Sequence, residues 1–329
     1  MVTVYPTDGP ARDRFILERR RPRPKHDPWR SQGVFFEDER AADGRIARVA
    51  IVLLTGRECP WRCAMCDLWQ HTLTTDTPPG AIPQQIAAAR GAWRTERATE
   101  VKLYNAGSFF DPRAVPDADY DDIAATLSGL SRVVVESHPA LVDARVDRFQ
   151  SALGRVEYAP VLEVAMGLET AHPEALERLN KRMTVGDFVR AANTLRSHDV
   201  AVRAFVIIDP PFVPAAEQEA WLVQSVDTAA ACGAGVVSLV PTRGGNGAME
   251  ALAAVGAFEQ PSLGMIEQRV DAVHARHGGS CRIFVDLWDL AAFSNCPVCL
   301  DARRSRLAAM NLTQQVLPRV VCGTCGGNA

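Results

Sequence analysis

Six short runs of β-branched and aliphatic residues recur through the middle of the chain, separated by longer stretches of mixed polarity. They are residues 47–55 (ARVAIVLLT), 100–105 (EVKLYN), 132–137 (RVVVES), 161–169 (VLEVAMGLE), 200–208 (VAVRAFVII) and 235–241 (GVVSLVP). Runs this short and apolar read as buried strands. Between them, IPQQIAAARGAW carries apolar residues at helical spacing. DADYDDIAATLSGL opens on acids, which suit the positive end of a helix dipole. Pro214 stands at the start of PAAEQEAWLVQSVDTAAAC, where a first helical turn tolerates proline. Strands about 30–40 residues apart, with one helix between, follow the rhythm of βα units around a parallel sheet. Six units fall short of the eight of a closed TIM barrel. The pattern therefore predicts an α/β fold, a partial (βα)6 TIM-type barrel over residues 45–245.

Residues 1–44 precede it as an N-terminal extension, and residues 246–329 follow as a small C-terminal extension rich in cysteine. A glycine-rich loop, PTRGGNGAME, marks the second boundary. Beyond it PSLGMIEQRVDAVHARHGG reads as a helix stopped by Gly278 and Gly279, and CRIFVDLW is one more apolar run.

Composition adds little until the cysteines are counted. The chain is 47% hydrophobic and 23% charged, with a formal net charge of -3, which suits a globular protein and gives no global attraction to nucleic acid. No apolar run is long enough to span a membrane, and the N-terminus lacks the layout of a signal peptide, so a cytoplasmic location is expected. In that reducing compartment nine cysteines argue for metal or redox chemistry over disulfides. The segment ERRRPRPKH (18–26) is locally basic and reads as a solvated flexible arm, ahead of an RNA-binding one.

Cys59, Cys63 and Cys66 follow the first predicted barrel strand in a C-x3-C-x2-C loop, at the end of the sheet where barrel chemistry sits. Three thiolates hold three irons of a [4Fe–4S] cluster and leave the fourth iron open. A structural zinc site would be closed by four ligands. In the tail, Cys296 and Cys299 pair as C-x2-C, and Cys322 and Cys325 repeat that spacing after 22 residues. This is a four-ligand pattern, for zinc or for a second [4Fe–4S] cluster. Cys232 and Cys281 read as small apolar residues, Cys281 with a secondary claim as a spare tail ligand.

The loop CPWRCAMC resembles the signature of the radical S-adenosylmethionine (SAM) enzymes. That resemblance implies a [4Fe–4S] cluster whose open iron chelates SAM. One electron from an external flavodoxin- or ferredoxin-type donor then cleaves SAM to a 5′-deoxyadenosyl radical, which abstracts hydrogen from a substrate. It also implies cofactor-binding roles for Asn105, Gly107 and Ser108, which stand where the family has a glycine-rich turn, and for Met65 inside the motif. Glu136 and Glu169 at strand ends would meet the SAM ammonium or ribose, Lys181 the carboxylate, and Arg203 is a further inward-facing candidate. Within the superfamily, GSFFDP, ESHPALV, GLET…LNKRMT, DPPF and GAFEQPSL are similar to the radical SAM subunit of archaeosine synthase and its iron–sulfur oxidoreductase relatives. A modified nucleoside, tRNA base or related small molecule is the substrate that this implies. Trp61, Trp69, Phe109 and Phe110 flank the site, where packing of the barrel mouth is expected ahead of stacking on a base. Two accounts of another class use the same cysteines: a non-catalytic zinc-ribbon protein binding nucleic acid, and an iron–sulfur electron carrier.

Overall fold

The computed structural model describes residues 5–277 and 279–326. One eight-stranded sheet runs in chain order: β1 (Gly33–Arg40), β2 (Ile46–Leu53), β3 (Glu100–Tyr104), β4 (Arg132–Ser137), β5 (Val161–Glu169), β6 (Ala201–Ile208), β7 (Val236–Pro241) and β8 (Arg282–Val285). β1 pairs antiparallel with β2, and every later pairing is parallel. Helix α1 (Gly9–Leu17) precedes the sheet. The strands alternate with α2 (Ala81–Thr95), α3 (Tyr120–Leu127), α4 (Ala144–Gly154), α5 (Pro173–Arg178) with α6 (Val185–Ser197), α7 (Gln218–Ala231), and α8 (Ala248–Ala253) with α9 (Leu263–His277). Helix α10 (Pro297–Thr313) follows β8. The six expected βα units are all present, and the sheet takes one further strand on each side of them. α9 ends at His277; Gly278 of the expected stop lies outside the described residues.

The sheet is strongly curled. Five strand spacings separate β1 from β6, about 24 Å if the sheet were flat. Yet Arg203 on β6 bonds Glu39 on β1 at 2.5 Å. Arg282 on β8 likewise donates to the Arg40 carbonyl of β1 at 2.9 Å. The two edges therefore meet at one end, and the barrel closes there. The bared edge of β8 is covered without another strand. Gln314 and Asn311 each use both ends of their amides on the backbone of Ile283 and Val285, at 2.7–2.9 Å. Side chains thus satisfy an edge that would otherwise invite pairing.

Alternation along the strands sorts the residues. Val101, Leu103, Val133, Val135, Val164 and Met166 pack outward under the helices. The neighbouring positions Lys102, Glu163 and Arg203 turn inward and meet one another's partners. β1 was not anticipated, since GVFFEDER has neither an apolar run nor clean alternation. Its acids are tolerated because Lys102 and Arg203 cover them from across the barrel. Asp43-Gly44, with Gly44 at a positive φ of 85°, is the hairpin signal that marks it.

Candidate functional site

The loop carrying Cys59, Cys63 and Cys66 leaves the C-terminal end of β2 and is gripped from three directions. The Ala64 amide donates to the Leu179 carbonyl at 2.9 Å, and the Asn180 amide to the Arg62 carbonyl at 2.7 Å. From the glycine-rich loop, Asn246 donates to the carbonyls of Ala64 and Cys66 at 2.7 and 3.2 Å. Trp61 lies flat on His138, with ring centroids 3.6 Å apart and 9° between planes. His138 is itself a hub. Its backbone N–H donates to Ser108 Oγ at 2.7 Å, Nδ1 accepts from the Ala140 amide, and Nε2 donates to the Lys181 carbonyl at 3.0 Å. Burial, assisted by the Lys181 charge, pulls its pKa down to about 3, so the imidazole stays neutral and its hydrogen bonds do not change near pH 7.

The third grip comes from the N-terminal extension, and it corrects the expectation of a solvated arm. Arg20 and Arg23 both bind Glu58, the residue before Cys59, and their side chains are only 8% and 15% exposed. Both guanidiniums also lie over the buried Trp69 ring, and His26 Nε2 meets the Gln70 carbonyl at 2.6 Å. Tyr5, Phe15 and Ile16 pack with Ala64, Met249 and Leu252, and Met65 rests on the same patch. The extension is a strap across the cysteine loop. Glu58→Gln removes the carboxylate that Arg20 and Arg23 share, and we expect trypsin to cleave after Arg19 and Arg20 about tenfold faster, by analogy with losing a charged hydrogen bond. A cleavage time course read by mass spectrometry checks this; an unchanged rate would mean that the ion pairs do not hold the strap.

The expected cofactor-binding residues divide in space. Glu136, at the end of β4, accepts from the backbone amides of Asn105 and Gly107 at 2.7 and 3.3 Å, and burial raises its pKa to about 7. Gly107 lies beside the loop, where a Cβ would be in ordinary contact with Cys59 at 3.5 Å. The Asn105 side chain is fully buried with neither amide atom partnered, the mark of a polar group waiting for a ligand. Lys181 donates to Glu169 at 2.5 Å, both buried, and Gly167 leaves the room they occupy. Burial opposes the Lys181 charge, but Glu169 and the nearby Cys63 outweigh it and hold its pKa raised. Arg203 stands apart. It pairs in register with Ala165 while Glu169 pairs with Val206 beyond a bulge, so Arg203 lies three residues, about 10 Å, below Glu169 at the usual strand rise. There it is fully buried on Glu163, at 2.6 Å, and Glu39.

Burial pushes the Cys59 thiol up to about 12 and Cys66 to about 11, with Cys63 well above its ordinary value. Thiolates in such a place need a cation beside them. Among the described residues, the one group of three or more such ligand atoms drawn within 4.8 Å of one another is the tail set, Cys296, Cys299, Cys322 and Cys325. Its sulfurs stand 3.9 Å (Cys296–Cys322) and 3.7 Å (Cys299–Cys325) apart. The Cys322 thiol is lowered to about 6, first by the amide of Cys325 and then by that of Thr324, as in a metal knuckle. Cys281 packs against the main core, away from this set, and Cys232 is buried. Phe109 and Phe110 are buried with Tyr120 and Phe149 in the helix layer, so they pack and do not face the mouth. Sequence reasoning missed Glu58, Asn180, Asn246 and His138. Asn180 and His138 fell within motifs already quoted, LNKRMT and ESHPALV, and Asn246 within the glycine-rich loop PTRGGNGAME.

No family model matches the chain. The archaeosine synthase subunit beta of Methanosarcina acetivorans is 24% identical over 314 residues, covering 92% of this chain and 90% of that protein. The subunit of the same name from Thermococcus kodakarensis is 30% identical over 125 residues, 36% of this chain and 37% of that one. Among solved structures, Elp3 from Methanocaldococcus infernus superposes with a TM-score of 0.52 at 10% identity, over 71% of this chain and 59% of its own, a likeness of fold. Among the described residues no helix is long and apolar enough to cross a membrane.

Proposed function

From its place among the radical SAM proteins, as a homologue of archaeosine synthase subunit beta, we propose that this chain is an enzyme that cleaves SAM reductively and acts on a modified nucleobase of tRNA. The observation that carries the reading is the cysteine loop. Three soft ligands sit at the catalytic end of the barrel, held from three sides, and not gathered to single-ion spacing as the tail cysteines are. A cubane spreads its ligands over separate irons, so that arrangement fits a [4Fe–4S] cluster on Cys59, Cys63 and Cys66. Such a cluster, when bound, supplies one electron to SAM at its open iron.

The remaining roles belong to the chain. Lys181 is suited to the SAM carboxylate and Glu169 to its ammonium, each released from the other as the ligand enters. The unpartnered Asn105 amide offers a donor and an acceptor, and Gly107 permits backbone approach. Glu136 and Ser108 act chiefly by shaping that turn, Met65 by packing the loop, and Arg203 from below by holding the barrel floor. In the tail, a tetrahedron with zinc–sulfur bonds of about 2.3 Å has sulfur–sulfur edges of about 3.8 Å. The 3.7 and 3.9 Å separations support zinc there over a second cluster. A flavodoxin- or ferredoxin-type donor and a second subunit are the protein partners this reading implies.

Anaerobic reconstitution followed by dithionite and SAM tests it. We expect 5′-deoxyadenosine, about four irons and one zinc per chain. Zinc alone with no deoxyadenosine would overturn the reading in favour of a zinc-binding module, and about eight irons would replace the tail zinc with a second cluster.

A further inference from the structure

The inner face of the barrel is charged low down and aromatic at its mouth. On β1 the inward positions are Glu39, Glu37 and Phe35, rising in that order towards the catalytic end, because Gly33 pairs with Leu53 and Arg40 with Ile46. Glu39 reaches Arg203 and Lys102, and Lys102 also holds Glu37 at 2.5 Å. Phe35 is thus the next inward residue above that ion pair. Across the open seam, the amide of Asp286 extends β8 by bonding the Leu239 carbonyl at 2.8 Å, and Trp288 follows. The Phe35 and Trp288 rings meet edge to face, 4.8 Å between centroids.

Both rings remain open, at 39% and 47% exposure, although they flank a deeply buried floor. Their contact with each other still leaves much of both rings bare on an inward face. They span the two sheet edges at the point where the barrel stays open. Just inside, Tyr104 and Phe205 form a second edge-to-face pair at 6.1 Å. The mouth therefore presents flat apolar faces above a rim of carboxylates, Glu37 and Asp286, able to accept from ring N–H groups.

We propose that Phe35 and Trp288 together form a stacking clamp for the planar heterocycle of the substrate: the two rings touch each other edge to face, so a purine-like ring lies against their exposed faces at the sheet edges and is aimed down the barrel. This rests on the reading of the chain as a nucleobase-modifying enzyme and assigns it the residues that select a ring. Stacking between a base and an aromatic side chain is sequence-tolerant, so the clamp selects flatness, and the carboxylates beneath it choose the donor edge.

Anaerobic equilibrium dialysis of the cluster-loaded protein against radiolabelled guanosine tests the clamp, with ribose 5-phosphate as the ring-free control. Wild-type protein should bind guanosine saturably and ribose 5-phosphate at least tenfold more weakly. Trp288→Ala and Phe35→Ala should each weaken guanosine binding by about fivefold or more, and Trp288→Phe by less. Visible absorbance of the cluster and the tail zinc content report whether each variant is folded. Equal binding by wild type and the folded alanine variants would overturn the clamp, as would equal uptake of the ring-free control or no guanosine binding by wild type. The two readings fail separately. Deoxyadenosine formation by wild type with an indifferent clamp sinks only the clamp, whereas ring-dependent binding without deoxyadenosine sinks the radical chemistry and keeps the clamp.

Discussion

Cys63→Ala should abolish deoxyadenosine formation and strip the barrel of iron while leaving the tail zinc in place. Cys63 lies between the other two cysteines of the loop in the chain, and burial raises its thiol well above the ordinary value. With it gone, two thiols remain, and two cannot retain a cubane that normally takes four protein ligands and here is given three. The fold itself should survive. The strap binds the Glu58 carboxylate, and Asn180 and Asn246 grip backbone carbonyls of the loop, so none of these holds the Cys63 side chain. Losing one sulfur from a half-buried site costs about 1 kcal/mol, well inside the margin of a typical domain. Iron should fall from about four per chain to near none, deoxyadenosine to the blank, and zinc not at all. The discriminating comparison is Cys322→Ser, which should lose zinc and keep iron. A Cys63→Ala protein that retains its iron would remove the cysteine loop from the mechanism altogether.

How much of this could be read from the chain follows from where each interaction's partner lies. The strands β2 to β7 were legible because burial under helices demands a continuous apolar run, a local property. The cysteine loop was legible because its three thiols lie within eight positions of one another in the chain. β1 was not. Its acids at 37 and 39 look like a solvated segment until Lys102 and Arg203 are brought over them by the curl of the sheet. The same applies to the basic arm: Arg23 finds its counter-charge at Glu58, 35 positions away. Charge patterning reports a solvated face by default, because opposite charges distant in sequence leave no local trace. Arg203 shows the converse. Its inward orientation was readable from strand alternation, but its depth was not, so it seemed to belong with Glu169 and Lys181 when it lies near the opposite end of β6.

That depth makes Arg203 the residue whose loss should cost most stability. It is fully buried between Glu39 and Glu163, while Lys102 and Arg132 also reach these carboxylates but are shared with Glu37 and Glu100. Arg203→Leu removes the shared cation and leaves an excess of buried negative charge, a change expected to cost about 3–5 kcal/mol. The pH dependence identifies the cause. Burial opposes the charges on Glu39 and Glu163, but Arg203 leads the groups that overcome it, and both folded pKa values lie below the ordinary carboxylate value. Wild-type stability from these groups is therefore complete above about pH 4.3 and is lost as pH falls through their lower folded values. In Arg203→Leu burial regains the upper hand and the folded pKa values rise. Such groups favour the folded state when protonated, so the variant should recover part of its deficit as pH is lowered from 7 towards 5, while wild type changes little. Urea unfolding at both pH values measures the difference. A deficit that stayed constant between pH 7 and pH 5 would show that Arg203 contributes by filling volume, and that the barrel floor is not held by charge.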